Sequence, residues 1–107
     1  MDRLGKFQEV VLTALELLGE GTYGVPLREE VSRLLDRDVS VGALYTTLDR
    51  LEERGFVSSW EGEATPERGG RRKRHFRLEA LGARALANER ESSARLARIS
   101  HGRLRHV

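Results

Sequence analysis

The chain has 107 residues, of which 38% are hydrophobic and 34% charged, with a formal net charge of +2 at pH 7. That length suits one small domain with a modest core, a size that often gains stability by pairing with a second copy. The absence of cysteine excludes disulfides, thiolate nucleophiles and cysteine metal sites.

The N-terminus, MDRLGKFQEV, contains no long apolar run. It indicates neither a signal peptide nor a membrane span, so a cytoplasmic protein is expected. Residues 5–18 place Phe7, Val10, Val11, Ala14, Leu17 and Leu18 at helical spacing. Gly19-Glu20-Gly21 ends that helix. Pro26 fits the first turn of a second helix, whose apolar face is Leu27, Val31, Leu34 and Leu35. After the polar turn Asp36-Arg37-Asp38, Ser40 is the expected N-cap of a third helix. Val41, Leu44, Leu48 and Leu51 run along its core side, and Gly55 suits its C-terminal end.

The pattern then changes. Phe56 to Trp60 is short and rich in strand formers, and Lys73 to Leu78 alternates with Phe76 and Leu78 facing inward. Between them, Glu61 to Gly70 has loop composition, with Gly62, Pro66, Gly69 and Gly70. A hairpin with a charged tip results. From Glu79 to about Ile99 the chain is again helical, and the last residues, HGRLRHV, read as frayed. The fold class is therefore mainly α with a β-hairpin: a winged helix-turn-helix over residues 1–78, then a C-terminal helix and tail over 79–107.

Charge is unevenly placed. Residues 64–77 carry six Lys or Arg against one acidic residue, and residues 90–107 carry five against one. Arg68, Arg71, Arg72, Lys73 and Arg74 crowd one turn, where like charges repel unless something anionic meets them. A solubilising charge run is the plain alternative. At a wing tip these side chains are placed to grip phosphate or a minor groove.

The third helix supports the same function. With about 100° per residue, Gly42, Ala43, Thr46 and Arg50 lie away from the leucine stripe. Small residues allow close approach to base edges, and Thr46, Thr47 and Arg50 offer hydrogen bonds there. Ser40 sits where helix N–H groups favour a phosphate. An undistinguished exposed face is the alternative.

Tyr23-Gly24, then Gly42-Ala43-Leu44-Tyr45, Leu48, Arg50-Leu51-Glu52 and Gly55-Phe56-Val57, then Gly70 through Phe76, Leu78, Gly82 and Leu86 together resemble the PadR family of bacterial transcriptional regulators. The resemblance spans about residues 5–90. It departs from the family pattern at Thr46, where Pro is frequent, at His75-Phe76, where Tyr-Tyr is usual, and at Glu79, where Thr caps the helix. It implies a homodimer that binds a palindromic operator and represses transcription. It also implies a dimer interface made by the helix after the wing together with the first helix. The stripe Leu81, Ala85, Leu96 and Ile99 is consistent with that, because one small domain would struggle to cover it. Tyr45, at the edge of the core face, reaches either a phosphate or the protein's own backbone, and the resemblance favours the phosphate. Tyr23 is open between packing and a backbone contact with DNA. Trp60 reads as wing packing rather than a ligand platform.

The expected partners are double-stranded DNA and a second copy of the chain. A small-molecule effector at the dimer interface is an added reading, and a winged-helix protein-interaction module is the rival, favoured by Asp49, Glu52 and Glu53 in the third helix. No membrane partner and no cofactor are expected. No enzyme is expected either: no nucleophile motif, phosphate loop or paired carboxylates stand out, and the spacing of His101 and His106 is not that of helical metal ligands.

Overall fold

A computed structural model describes residues 3–62 and 72–105. The order is α1 (Lys6–Leu18), β1 (Thr22–Tyr23), α2 (Gly24–Leu35), α3 (Val41–Glu53), β2 (Val57–Glu61), β3 (Arg74–Leu78) and α4 (Ala80–Arg105). The three strands form one antiparallel sheet in the order β1-β3-β2. β1 lies outside the hairpin that the sequence predicts. It is only two residues long, too short for periodicity to reveal, and it exists by pairing Thr22 with Phe76 and Tyr23 with His75.

The core gathers one face from each element. Val10, Val11, Ala14 and Leu15 come from α1, Leu27 and Val31 from α2, and Leu44, Leu48 and Leu51 from α3. Phe56, Val57, Phe76 and Leu86 close it from the wing and α4. Burying each of the larger side chains contributes about 1.5–3 kcal/mol. On α1, Leu12 and Leu15 complete the buried face; Leu17 and Leu18, which helical spacing assigned to it, are exposed.

Two expectations at the ends of elements are met. The Ser40 hydroxyl accepts the Ala43 N–H at 3.0 Å, capping α3. At the other end, Gly55 follows the helix with φ +77°. One assignment needs correcting. Val41 does not pack on the other helices: it is 54% exposed, while Val39 is fully buried. With Ser40 as N-cap, Val39 occupies the position just before the cap and Leu44 the fourth helical position. These are the two positions whose apolar residues, when packed together, fix how the chain enters a helix, and both are fully buried in the one core. The Ser32 hydroxyl accepts the Val39 N–H at 3.1 Å, and Arg28 donates to the Val39 carbonyl at 2.6 Å. Val39 is thereby held inside, and the helix begins with Val41 turned out.

α4 also runs further than expected, through Arg105 rather than ending near Ile99. Ala, Leu and Arg favour helix, and Arg near a C-terminus complements the helix dipole, which outweighs the single Gly102. Its first half belongs to the domain: Leu86 is buried and Ala85 packs on the core. Arg90 reaches Glu16 at 2.9 Å, and Glu89 accepts the Leu4 N–H at 3.3 Å. Among the described residues, no helix is long and apolar enough to cross a membrane.

Truncation should separate the two valines. Val39→Ala is expected to cost about 2 kcal/mol of stability, and Val41→Ala less than about 0.5 kcal/mol. Urea unfolding of both variants measures the difference.

Candidate nucleic-acid interface

The N-terminal turns of α3 present an open surface. Val41, Gly42, Ala43 and Thr46 are exposed and Thr47 is half-buried. A Cβ on Gly42 would meet no atom within 4 Å, so packing does not require glycine there. Within residues 41–48 there is no charged or amide side chain. Arg50, two positions on, is exposed and has no ion pair among the described residues. The Ser40 oxygen is engaged by the Ala43 N–H, which fixes the start of the helix.

Tyr45 is half-buried beside this surface. Its ring packs at 6.1 Å from that of Phe76, and its hydroxyl lies against Gly24, the first residue of α2. A Cβ on Gly24 would collide with that hydroxyl. The tyrosine tip therefore emerges where α2 begins, next to α3. Tyr23, the residue before α2, packs edge-on against His75 at 5.9 Å, with the Lys73 ammonium 4.3 Å from its ring centre.

The wing shows why its basic residues are not equivalent. Arg68 and Arg71 lie outside the described residues. Arg72 is mostly exposed and, among the described residues, makes only a long 3.9 Å contact with Glu61. Lys73 is half-buried over Tyr23. Arg74 is not a free wing-tip cation. It donates to Asp49 at 3.0 Å, to Glu52 at 2.9 Å and to the Ser59 hydroxyl at 3.2 Å. Ser59 in turn donates to Glu52 at 2.7 Å. Burial works against the charged guanidinium, but the hydrogen bonds to Asp49 and Glu52 outweigh it and hold Arg74 above its ordinary range. With about a third of its side chain exposed, each pair contributes on the order of 0.5 kcal/mol. Its larger effect is orientation, because it joins the wing to α3. The alternation that places Phe76 and Leu78 inside places Arg74 on the same side, so the signal was present in the sequence. What the sequence did not show was the acidic partner waiting there.

On the outer face of the sheet, Trp60 stacks on His75 at 5.8 Å with 19° between the rings, and the Arg77 guanidinium lies 5.3 Å from the Trp60 ring centre. His75 Nδ1–H donates to the Gly21 carbonyl at 2.7 Å, tying β3 to the chain leading into β1. Trp60 is thus a packed wing residue, 39% exposed. Glu79 does not cap α4 through its side chain as Thr would; it accepts from the Ser58 hydroxyl and faces Arg77 at 3.6 Å.

Of the four α4 positions singled out for pairing, Leu81, Leu96 and Ile99 are exposed, whereas Ala85 is packed against its own core. A groove of 720 Å³ runs along this stretch between Phe56, Leu81, Ala85 and Ser92. Among the described residues, no three His, Asp or Glu stand together to hold a metal ion.

A family model described as "Transcriptional regulator PadR-like family" matches residues 14–88. No curated protein sequence matched the chain. Solved structures match over most of its length. A transcriptional regulator from Clostridium thermocellum is 20% identical, with 90% of this chain and 87% of that one covered and a TM-score of 0.70. A PadR family transcription regulator from Clostridium difficile is 19% identical, with 94% and 99% covered and a TM-score of 0.69. A RosR protein of H. salinarum, solved as a complex, is 28% identical, with 84% and 70% covered and a TM-score of 0.67.

The contact between Tyr45 and Gly24 gives a direct test. Gly24→Ala should push the Tyr45 ring off its seat and cost about 1–3 kcal/mol, the usual range for overpacking. Tyr45→Phe in the same background should recover part of that loss, read from thermal unfolding midpoints.

Proposed function

The chain belongs to the PadR-like family of transcriptional regulators, DNA-binding proteins that are not enzymes, and from that premise we propose that it is a homodimeric repressor of a palindromic operator. In this reading α3 enters the major groove with its N-terminal turns leading, and Gly42, Ala43, Thr46, Thr47 and Arg50 face the bases. Arg68, Arg71, Arg72 and Lys73 grip the backbone or minor groove from the wing. Tyr23, Ser40 and Tyr45 border the phosphates. Arg74 is turned to Asp49 and Glu52 instead of to the DNA. Repression then follows from occlusion of a promoter, in the cytoplasm where the DNA is.

The observation that carries this reading is the open space at Gly42. Glycine lowers helix stability relative to alanine, by roughly 0.5–1 kcal/mol at mid-helix, and among the described residues nothing needs the missing Cβ at Gly42. A partner that comes close to the helix backbone accounts for it. A groove-bound helix needs such clearance.

The second copy is proposed to pair through α4, with Leu81, Leu96 and Ile99 as its apolar positions and α1 alongside. Leu96 is 62% and Ile99 54% exposed, and residues 93–101 of α4 are all exposed. Large apolar side chains so spaced along one face suit a helix–helix contact. The groove along α4 leaves an effector at that interface as a second reading. The protein-interaction rival loses its main support, since Asp49 and Glu52 are engaged by Arg74.

Gly42→Ala should raise thermal stability slightly yet weaken binding to duplexes selected from a random pool. Unchanged or tighter binding would remove the main support for groove entry. Leu96→Asp with Ile99→Asp should convert a dimer to a monomer in sedimentation equilibrium, with the folded domain retained. Persistence of the dimer would place the interface elsewhere.

A further inference from the structure

A helix that enters the groove of a polyanion ought to avoid carboxylates, yet α3 carries Asp49, Glu52 and Glu53. Asp49 lies on the side of Gly42 and Thr46, and its side chain is 57% exposed. It stands about 10 Å along the axis from Gly42 at 1.5 Å per residue, within reach of phosphates flanking the groove. Left alone it would repel them. Glu53 lies a further turn toward the helix C-terminus, farther from the leading end.

Asp49 and Glu52 are not left alone. One Nη of Arg74 sits 3.0 Å from Asp49 and 2.9 Å from Glu52, and its Nε bonds Ser59. The Ser59 hydroxyl saturates the same Glu52 oxygen. The Arg74 guanidinium also lies 5.0 Å from the Phe76 ring centre, so the fork is held from below as well as by its partners. β3 thus delivers a fixed cation to the flank of α3.

We propose that Arg74 is a charge-masking residue, which hides the carboxylates of Asp49 and Glu52 from DNA phosphates instead of contacting DNA itself. This rests on the DNA-binding reading above. The mask makes an acidic reading helix compatible with DNA. The mask is partial: one cation against two carboxylates leaves a net negative flank, which disfavours any register that drives the second half of α3 into the groove. Arg74 acts by position, and its effect on affinity passes through the two carboxylates.

The test is rescue. Arg74→Met keeps an apolar stem over Phe76 and removes the charge. It should weaken operator binding by roughly tenfold, the effect of an unmasked unit charge about 7 Å from two phosphates in water. Adding Asp49→Asn and Glu52→Gln, which leaves the site neutral, should restore the affinity to at least that of the unmodified protein. A residue needed only for folding would not be rescued by removing its partners' charges. If Arg74→Met is too unstable to measure, Arg74→Gln, which removes the charge and keeps an amide donor, serves as the weakened parent for the same rescue. Arg74→Met at full affinity overturns the proposal. So does a triple variant that stays weak: with a salt slope reduced by about one, Arg74 would be holding a phosphate, and with the slope unchanged it would act by tying the wing to α3. Failure of the unmodified protein to bind any selected duplex would sink the DNA reading instead, a separate result.

Discussion

The burial of Phe76 in the middle of β3 organises the molecule. β3 pairs with both other strands, and Phe76 beneath it is inaccessible to solvent. Strand side chains alternate between faces, so fixing one residue fixes its neighbours. Arg74 and Leu78 must follow Phe76 inward, toward α3 and the root of α4. His75 and Arg77 must turn outward, to Trp60, the Gly21 carbonyl and Glu20. A slip of one residue would exchange every one of these contacts. Five consecutive residues thus connect α3, the wing and α4.

That alternation changes how the basic segment is understood. Counted along the chain, residues 64–77 look like a block of loose positive charge. Among the described residues of that block, each cation has its own surroundings: Arg72 in solvent, Lys73 over an aromatic ring, Arg74 between two carboxylates, and Arg77 between Glu20 and Glu79. Charge density in a sequence measures what is present, while the pleat decides what is available to a partner.

The same distinction separates what was legible from what was not. Three helices, a wing and a trailing helix followed from periodicity, because a repeating apolar face is written locally. The Ser40 cap and the Gly55 stop were legible for the same reason. β1 was not, since two residues gain strand character only from a partner more than fifty positions away. Val41 was misplaced because helical spacing treats every aligned apolar residue alike. Only the cap at Ser40 shows that Val39 takes the inner place. The open turns of α3 were visible as small residues, but the missing need for Gly42 became visible only once the surrounding space was known. The wing-to-helix tie through Arg74 was half visible: strand parity pointed it inward, and nothing local announced Asp49 and Glu52 as its partners.

α4 leaves β3 without a linker. The Glu79 N–H bonds the Phe56 carbonyl at 2.9 Å, and the helix begins at the next residue. A helix of 26 residues is a rod of about 39 Å at 1.5 Å per residue. Its root is clamped to α1, and its far end stands clear of the domain. Such a rod is a lever arm: a difference of 5° in its angle at the root corresponds to a difference of about 3 Å in the position of its tip.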